Sequence, residues 1–187
     1  MDIDRFIIDK DKTCLLVVDI QERLFNAMDF DIRKKMVRNS GHLIQAAQVF
    51  NMPIVLTEQY SKGLGATIPD IKNRIPDIEP LDKTYFDCMS DDSAARRIRE
   101  IGKSTVIMVG IETHICILFT ALSLMKENFS VIVASDAVCS RMTHEWQMGL
   151  QAMSLAGAVI YPTETIAFML MGQYGTEEFK ILSPLFK

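Results

Sequence analysis

The stretch 104–126, STVIMVGIETHICILFTALSLMK, passes from a β-type apolar run to a helical pattern almost at once, and the rest of the chain is arranged around that turn. Residues 104–109 are short, apolar and β-branched, as a strand buried on both faces requires. Ile115, Leu118, Phe119, Leu122 and Met125 then recur at three- and four-residue intervals, the spacing of a helix with one broad apolar face. Between them, Gly110-Ile111-Glu112-Thr113-His114-Ile115-Cys116 puts a thiol in the first turn of that helix. Unpaired N–H groups and the positive dipole end favour an anion there, which predicts a thiol pKa below the free value of about 8.5. Two readings of Cys116 stand on this segment: a nucleophile, or a small apolar filler.

The same alternation runs through the chain. Residues 13–18 (TCLLVV) form a second doubly buried strand ending in Asp19, which is either a general base at a strand's carboxyl end or a cap for the next turn. Residues 31–50 form a long amphipathic helix, with Asn51 suited to a left-handed end and Pro53 barring continuation. Residues 53–57 (PIVLT) complete a right-handed βαβ unit. Residues 58–65 read as a loop and flexible pocket rim, because Gly63-x-Gly65 lacks the third glycine of a dinucleotide fingerprint. Residues 66–80, with Pro69, Pro76 and Pro80 and no clean period, predict a surface excursion closing over the site.

Residues 81–87 read as a short strand beginning with a cation, Lys83, whose bland alternative is to snorkel to solvent. Ser90 is the expected N-cap of a helix over 91–101, with Gly102 past its end. A fifth strand follows at 129–134, then a helix over 143–156 capped by Thr143 and ended by Gly157, and a sixth strand at 158–161. The tail holds apolar helical segments at 165–171 and 177–182, fit either to pack on the sheet or to meet another subunit. Together these predict one α/β domain over residues 1–187, a three-layer sandwich with helices on both faces of a six-stranded parallel sheet. In the doubly wound order 3-2-1-4-5-6 the first and fourth strands are neighbours at the switch point, so Asp19 and Cys116 meet at one crevice.

Composition narrows the function. A net charge of −4 lacks the basic footprint of a nucleic-acid binder, and the clusters Arg33, Lys34, Lys35, Arg38 and Arg96, Arg97, Arg99 read as solvated helix faces. Hydrophobic content is 49%, yet no unbroken apolar run reaches the ~20 residues that cross a bilayer, so no membrane partner is expected. Cys14, Cys88, Cys116 and Cys139 are widely spaced and read as reduced thiols. The N-terminal residues 1–12 carry neither a signal core nor an Arg- and Ser-rich presequence, which makes cytoplasm the expected location, with organellar import only weakly opposed. His42, His114 and His144 are too scattered for an HExxH-type site, and neither a GxSxG elbow nor a Walker loop is present. An acid after the first strand, a lysine before a middle strand and a thiol at the helix after the fourth remain.

The runs VVDIQERLF, LDKTYF, VGIETHICILFTALSL and SDAVCSR, with the later AGA, resemble the isochorismatase-like cysteine hydrolases. The loop TEQYSKGLG is similar to that of the isochorismatase-domain-containing subgroup, and the resemblance covers nearly the whole chain. It implies a six-stranded parallel sheet, an Asp-Lys-Cys triad at Asp19, Lys83 and Cys116, and a non-proline cis peptide between Ile111 and Glu112. In that family the turn aims N–H groups, including that of Cys116, at an oxyanion. Nicotinamidases of the superfamily bind a metal through an aspartate and histidines after the second strand; Glu58-Gln59-Tyr60 stands here, so no catalytic metal, and no other cofactor, is expected. Isochorismatase proper lacks the nucleophilic cysteine, so its vinyl-ether chemistry is disfavoured. Cys139 is expected to serve packing.

The resemblance implies a metal-independent hydrolase that cleaves a small amide or related C–N bond through a thioester. Asp19 takes the thiol proton, Lys83 stabilises the charge, and the turn at Ile111, Glu112 and Cys116 holds the oxyanion. Phe25, Tyr60, Leu64, Tyr85 and Glu112 are the candidate pocket walls on loop position. Replacing Cys116 by Ala or Asp19 by Asn is expected to stop turnover and leave folding nearly intact. The partners implied are a small-molecule substrate and further copies of the chain, as a dimer or larger homo-oligomer, with no nucleic acid. The competing readings are a non-catalytic scaffold of the same fold, and a ribonuclease, a label some subgroup members carry.

Overall fold

In the computed structural model, residues 3–187 are described; Met1 and Asp2, the start of the N-terminal segment read above, lie outside the described residues. Six strands form one parallel sheet: β1 (Thr13–Val18), β2 (Ile54–Gln59), β3 (Leu81–Lys83), β4 (Thr105–Ile111), β5 (Ser130–Cys139) and β6 (Val159–Tyr161). Their spatial order is β3-β2-β1-β4-β5-β6, the doubly wound order expected, with the switch point between β1 and β4. Successive side chains of a strand point to opposite faces, and the core divides accordingly. Leu15 and Val17 of β1 with Ile107 and Val109 of β4 join one cluster, while Cys14, Leu16 and Val18 with Val106 and Met108 join the other.

The first cluster is covered by α2 (Phe30–Val49), α4 (Pro69–Lys72), α8 (Thr163–Met171) and α9 (Glu177–Leu182). The second lies under α5 (Asp92–Glu100), α6 (Leu118–Lys126) and α7 (Thr143–Ala156). Both faces of the sheet are thus sealed, which is why β1 and β2 are buried along their whole length. Among the described residues no helix is long and apolar enough to cross a membrane.

Several local expectations are corrected. Asp29, ahead of the predicted start at residue 31, caps α2 by accepting from the amides of Asp31 and Ile32 at 3.0 and 3.1 Å. Asn51 takes φ 52° past the helix end. Glu58 and Gln59 belong to β2 rather than to a loop, because β3 pairs with them at Asp82 and Lys83. A helical turn, α3 (Ser61–Leu64), follows, preceded by α1 (Glu22–Ala27) on the β1 side.

Residues 66–80 are not a lid. Ile68, Ile71 and Ile75 are buried in the α2-side core, so the prolines interrupt a packed segment. Asp91, not Ser90, caps α5, accepting from the amides of Ser93 and Ala94, while the Ser90 hydroxyl donates to Asp87. Thr143 is the first residue of its helix, and the capping position, Met142, offers no side-chain acceptor. The fifth strand runs five residues past Ala134, because Val138 and Cys139 pair with Gly110 and Ile111 across a register shift in β4.

Candidate active site

Asp19 stands immediately after β1 with φ 52°, outside strand geometry, and its amide donates to the Thr57 carbonyl at 3.2 Å. It caps no helix. Its carboxylate is turned inward: Oδ1 accepts from the Thr57 hydroxyl and Oδ2 from Lys83 Nζ, both at 2.7 Å. Lys83 is the last residue of β3 rather than a cation at the beginning of a strand over 81–87, and its side chain is 0% exposed. The snorkelling alternative is therefore overturned.

An ammonium offers three hydrogens. Lys83 points them at Asp19 Oδ2 and Gln59 Oε1, each 2.7 Å away, and at the Tyr85 carbonyl at 3.1 Å, with the Phe86 carbonyl at 3.4 Å. These partners are acceptors, so the charged form is the one the surroundings fit. Burial alone opposes the charge, but the Asp19 carboxylate and its hydrogen bond outweigh it, and the Lys83 pKa is raised.

Cys116 does not sit in the first turn of an α-helix. It lies in a π-helical turn, Thr113–Ile117, and α6 begins only at Leu118. The Glu112 carbonyl accepts from Ile115 and, five residues on, from Ile117, so the amide of Cys116 falls between two bonds that hold the turn. The turn is pressed against α7 at Gly149, where a Cβ would come within 3.0 Å of the Thr113 carbonyl oxygen. The Ile111–Glu112 peptide just ahead is cis.

The thiol is 5% exposed and sits against the Asp19 carboxylate. Its pKa is raised, first by burial and then by the negative charge of Asp19, with Lys83 pulling only partly the other way. This corrects the expected depression: a helix-end dipole is weaker than loss of water plus a neighbouring carboxylate.

The proposed pocket walls are scattered in role. Tyr60 and Tyr85 are more than half exposed, and the Tyr85 carbonyl already holds Lys83. Leu64 is half-buried at the end of α3. Phe25 packs against the α2-side core with the Arg33 guanidinium 4.7 Å from its ring centroid, which gives it a packing role. Glu112 is buried and ion-paired with Arg141 Nε at 2.9 Å, so its carboxylate is a brace for the turn rather than an open wall.

The Isochorismatase domain family model matches residues 13–165. The chain belongs to the isochorismatase family. Family membership makes it a hydrolase of that family. Over 177 residues it is 32% identical to the secreted isochorismatase effector Isc1 of Phytophthora sojae, covering 92% of this chain and 83% of that protein. The MAR1 ribonuclease structure from Caenorhabditis elegans superposes with TM-score 0.86 at 31% identity, over 96% of this chain and 91% of that one. The Escherichia coli YcaC gene product, an octameric hydrolase of unknown specificity, superposes with TM-score 0.88 at 26% identity, over 96% of this chain and 89% of that one.

Four residues around this candidate site in the isochorismatase-family chain were not singled out from the sequence: Thr57, Gln59, Gln21 and Arg141. Gln21 Nε2 donates to the carbonyls of Gln59 and Gly65, and its Oε1 accepts from the Gln59 amide. The signal available was the polar run Thr57-Glu58-Gln59 entering from a buried strand, where alternation puts Thr57 and Gln59 on one face. Among the described residues, Glu112, His114 and Glu145 could bring three ligand atoms within 4.8 Å of one another. Arg141 Nε holds Glu112 Oε1 and Ser140 Oγ lies 2.9 Å from His114 Nδ1, while His114 Nε2 faces Glu145 Oε2 at 3.6 Å. Cys139 is fully buried in β5, its thiol pushed up to about 12 by burial and then by Glu112, as suits packing.

Proposed function

We propose that this hydrolase cleaves a small amide or related C–N bond through a thioester on Cys116. One observation carries the reading: a buried, hydrogen-bonded Asp19–Lys83 pair stands against a thiol at the carboxyl ends of neighbouring strands. As the sulfur attacks the carbonyl carbon, its proton passes to Asp19 and the carbonyl π pair moves to oxygen. Backbone amides of the turn at Ile111 to Cys116 receive that oxyanion. Collapse breaks the C–N bond, and the leaving amine takes the proton from Asp19. Water, giving a proton to Asp19, then cleaves the thioester, releasing the acid and returning the thiol.

Lys83 acts by charge rather than as an acid, because the Asp19 carboxylate raises its pKa and its surroundings are acceptors that favour the ammonium. It stabilises the site's negative charge whether that charge rests on oxygen or sulfur. A thiol whose pKa is raised by burial and by Asp19 fits this order, in which the proton leaves as the carbonyl is attacked. The reading uses no metal or other cofactor.

The test is a panel of small amides incubated with the enzyme, with intact-mass detection of an acyl adduct and assay of released amine. An adduct mapped to Cys116 and absent from Cys116→Ala is the expected result; amide turnover by Cys116→Ala at the wild-type rate would sink the route. Ribonuclease activity is the second reading, favoured by the name of the C. elegans relative. A net charge of −4 opposes it, and failure to retain RNA at physiological salt would dismiss it.

Assembly into a homo-oligomer belongs to the same proposal. Phe168, Met169, Tyr174 and Ile181 expose apolar side chains in the tail, and the E. coli relative is octameric. Sedimentation velocity would return a single monomeric species if this is wrong. A cytoplasmic location, which four free cysteines suit, is the remaining element of the proposal.

A further inference from the structure

Thr57 and Gln59 are two apart on β2, so their side chains leave the strand on the same face. Both are buried, at 0% and 7% exposure. The Thr57 hydroxyl donates to Asp19 Oδ1 at 2.7 Å, and Gln59 Oε1 accepts from Lys83 Nζ at 2.7 Å. Gln59 cannot swing away, because its Nε2 donates to the Thr84 carbonyl at 2.9 Å and its backbone is clasped by Gln21. Each partner of the buried ion pair therefore has one neutral side chain from the same strand, Thr57 also meeting the Cys88 thiol.

The two contacts act on the charge in opposite senses. A hydroxyl proton on Asp19 stabilises negative charge on the carboxylate, and so holds the Cys116 proton on sulfur. An amide oxygen on Lys83 stabilises the ammonium, whose field favours negative charge on the sulfur as well as on the carboxylate. The other titratable or charged groups facing this cluster are Cys88, Cys116 and, from the start of α5, Asp91.

We propose that Thr57 and Gln59 are positioning residues that divide the site's single negative charge, Thr57 drawing it to Asp19 and Gln59 keeping the ammonium that lets Cys116 take it. This rests on the Asp19, Lys83 and Cys116 reading. Neither residue touches the carbonyl that reacts; both act through the pair they hold.

The probe is iodoacetamide, with the rate of Cys116 alkylation followed by peptide mass spectrometry between pH 6 and 10, in wild type and in Thr57→Val, Thr57→Ser and Gln59→Met. Thr57→Val is expected to raise the neutral-pH rate, and Gln59→Met to lower it, each by about tenfold, the change equivalent to one pKa unit. Thr57→Ser keeps the hydroxyl and stays at the wild-type rate. A merely structural role would loosen the site in both variants and move them the same way. Shifts of one sign, no shift, or a Thr57→Ser rate that follows Thr57→Val each overturn the proposal.

Lys83→Met separates the two levels. If it leaves the alkylation profile unchanged, the ion-pair reading itself fails. If it shifts the profile while Thr57→Val and Gln59→Met do not, only the division of charge by β2 fails.

Discussion

Lys83 Nζ lies 2.7 Å from Asp19 Oδ2, and both side chains are fully withdrawn from solvent. Removing either partner leaves the other charge buried and unmatched, which costs about 3–5 kcal/mol. Lys83→Met and Asp19→Asn are both expected to show losses of that order in urea unfolding. The buried pair thus changes what is expected of Asp19→Asn, which on sequence grounds should fold nearly intact; Cys116→Ala, which strands no charge, remains the mild variant. The double variant Asp19→Asn with Lys83→Met should recover much of the loss.

The pair also predicts an alkaline limb. Because the Lys83 pKa is raised in the fold, its stabilisation is fully present below the unfolded lysine value of about 10.4 and is lost as pH rises through the higher folded value. Unfolding free energy measured from pH 9 upward should fall through that window in the wild type. The limb should be missing in Lys83→Met.

Asp19→Asn should make Cys116 more reactive toward small alkylating agents while stopping turnover. The carboxylate raises the thiol pKa and the lysine lowers it, so deleting the carboxylate leaves only the cation acting beside burial. At pH 8 the alkylation rate of the Cys116 peptide is expected to rise by roughly an order of magnitude, equivalent to one pKa unit. Without a base to collect and return the proton, amide hydrolysis is lost. An unchanged or slower alkylation rate in folded Asp19→Asn contradicts the charge assignment.

Gly110 has φ 129°, and a Cβ there would lie 2.0 Å from the Val18 carbonyl oxygen. That oxygen is backbone of the neighbouring strand, one residue before Asp19, and cannot move without carrying the carboxylate along. Gly110→Ala should therefore cost more than the roughly 1–3 kcal/mol of ordinary overpacking and displace Asp19 from Cys116. Thermal melting and the alkylation profile would report the two effects separately.

The sheet was legible because doubly buried strands are continuous apolar runs, and β1, β2 and β4 announce themselves that way. Position at strand ends brought Asp19 and Cys116 to one crevice but left two readings of each, and only the family resemblance chose between them. Lys83 was not legible from its surroundings in sequence: Asp82 and Tyr85 look like any exposed turn, and only β3 pairing with Glu58 and Gln59 buries the lysine between them. The same pairing hid Gln59, which reads as loop until a neighbour strand is supplied. The direction of the Cys116 shift failed for a related reason, since the dipole is local while burial and the Asp19 charge arise from contacts distant in sequence. Ile68, Ile71 and Ile75 were misread because prolines mask a period that is set by packing on α2.

Glu112 and Arg141 supply the last expectation. The Glu112 side chain is 8% exposed, Arg141 Nε sits 2.9 Å from its Oε1, and the Glu112 carbonyl anchors the turn that carries Cys116. Arg141→Gln leaves that carboxylate without its cation, and the turn must shift toward water to hydrate it. Turnover should fall by about tenfold or more with only a small change in melting temperature, since Arg141 itself is half-exposed. Glu112→Gln in the same background should restore part of the activity, because it removes the charge that needed a partner. A double-mutant cycle on turnover measures this: coupling of about 0.5–3 kcal/mol is expected for groups in direct contact, and strict additivity would show that the brace has no bearing on the thiol.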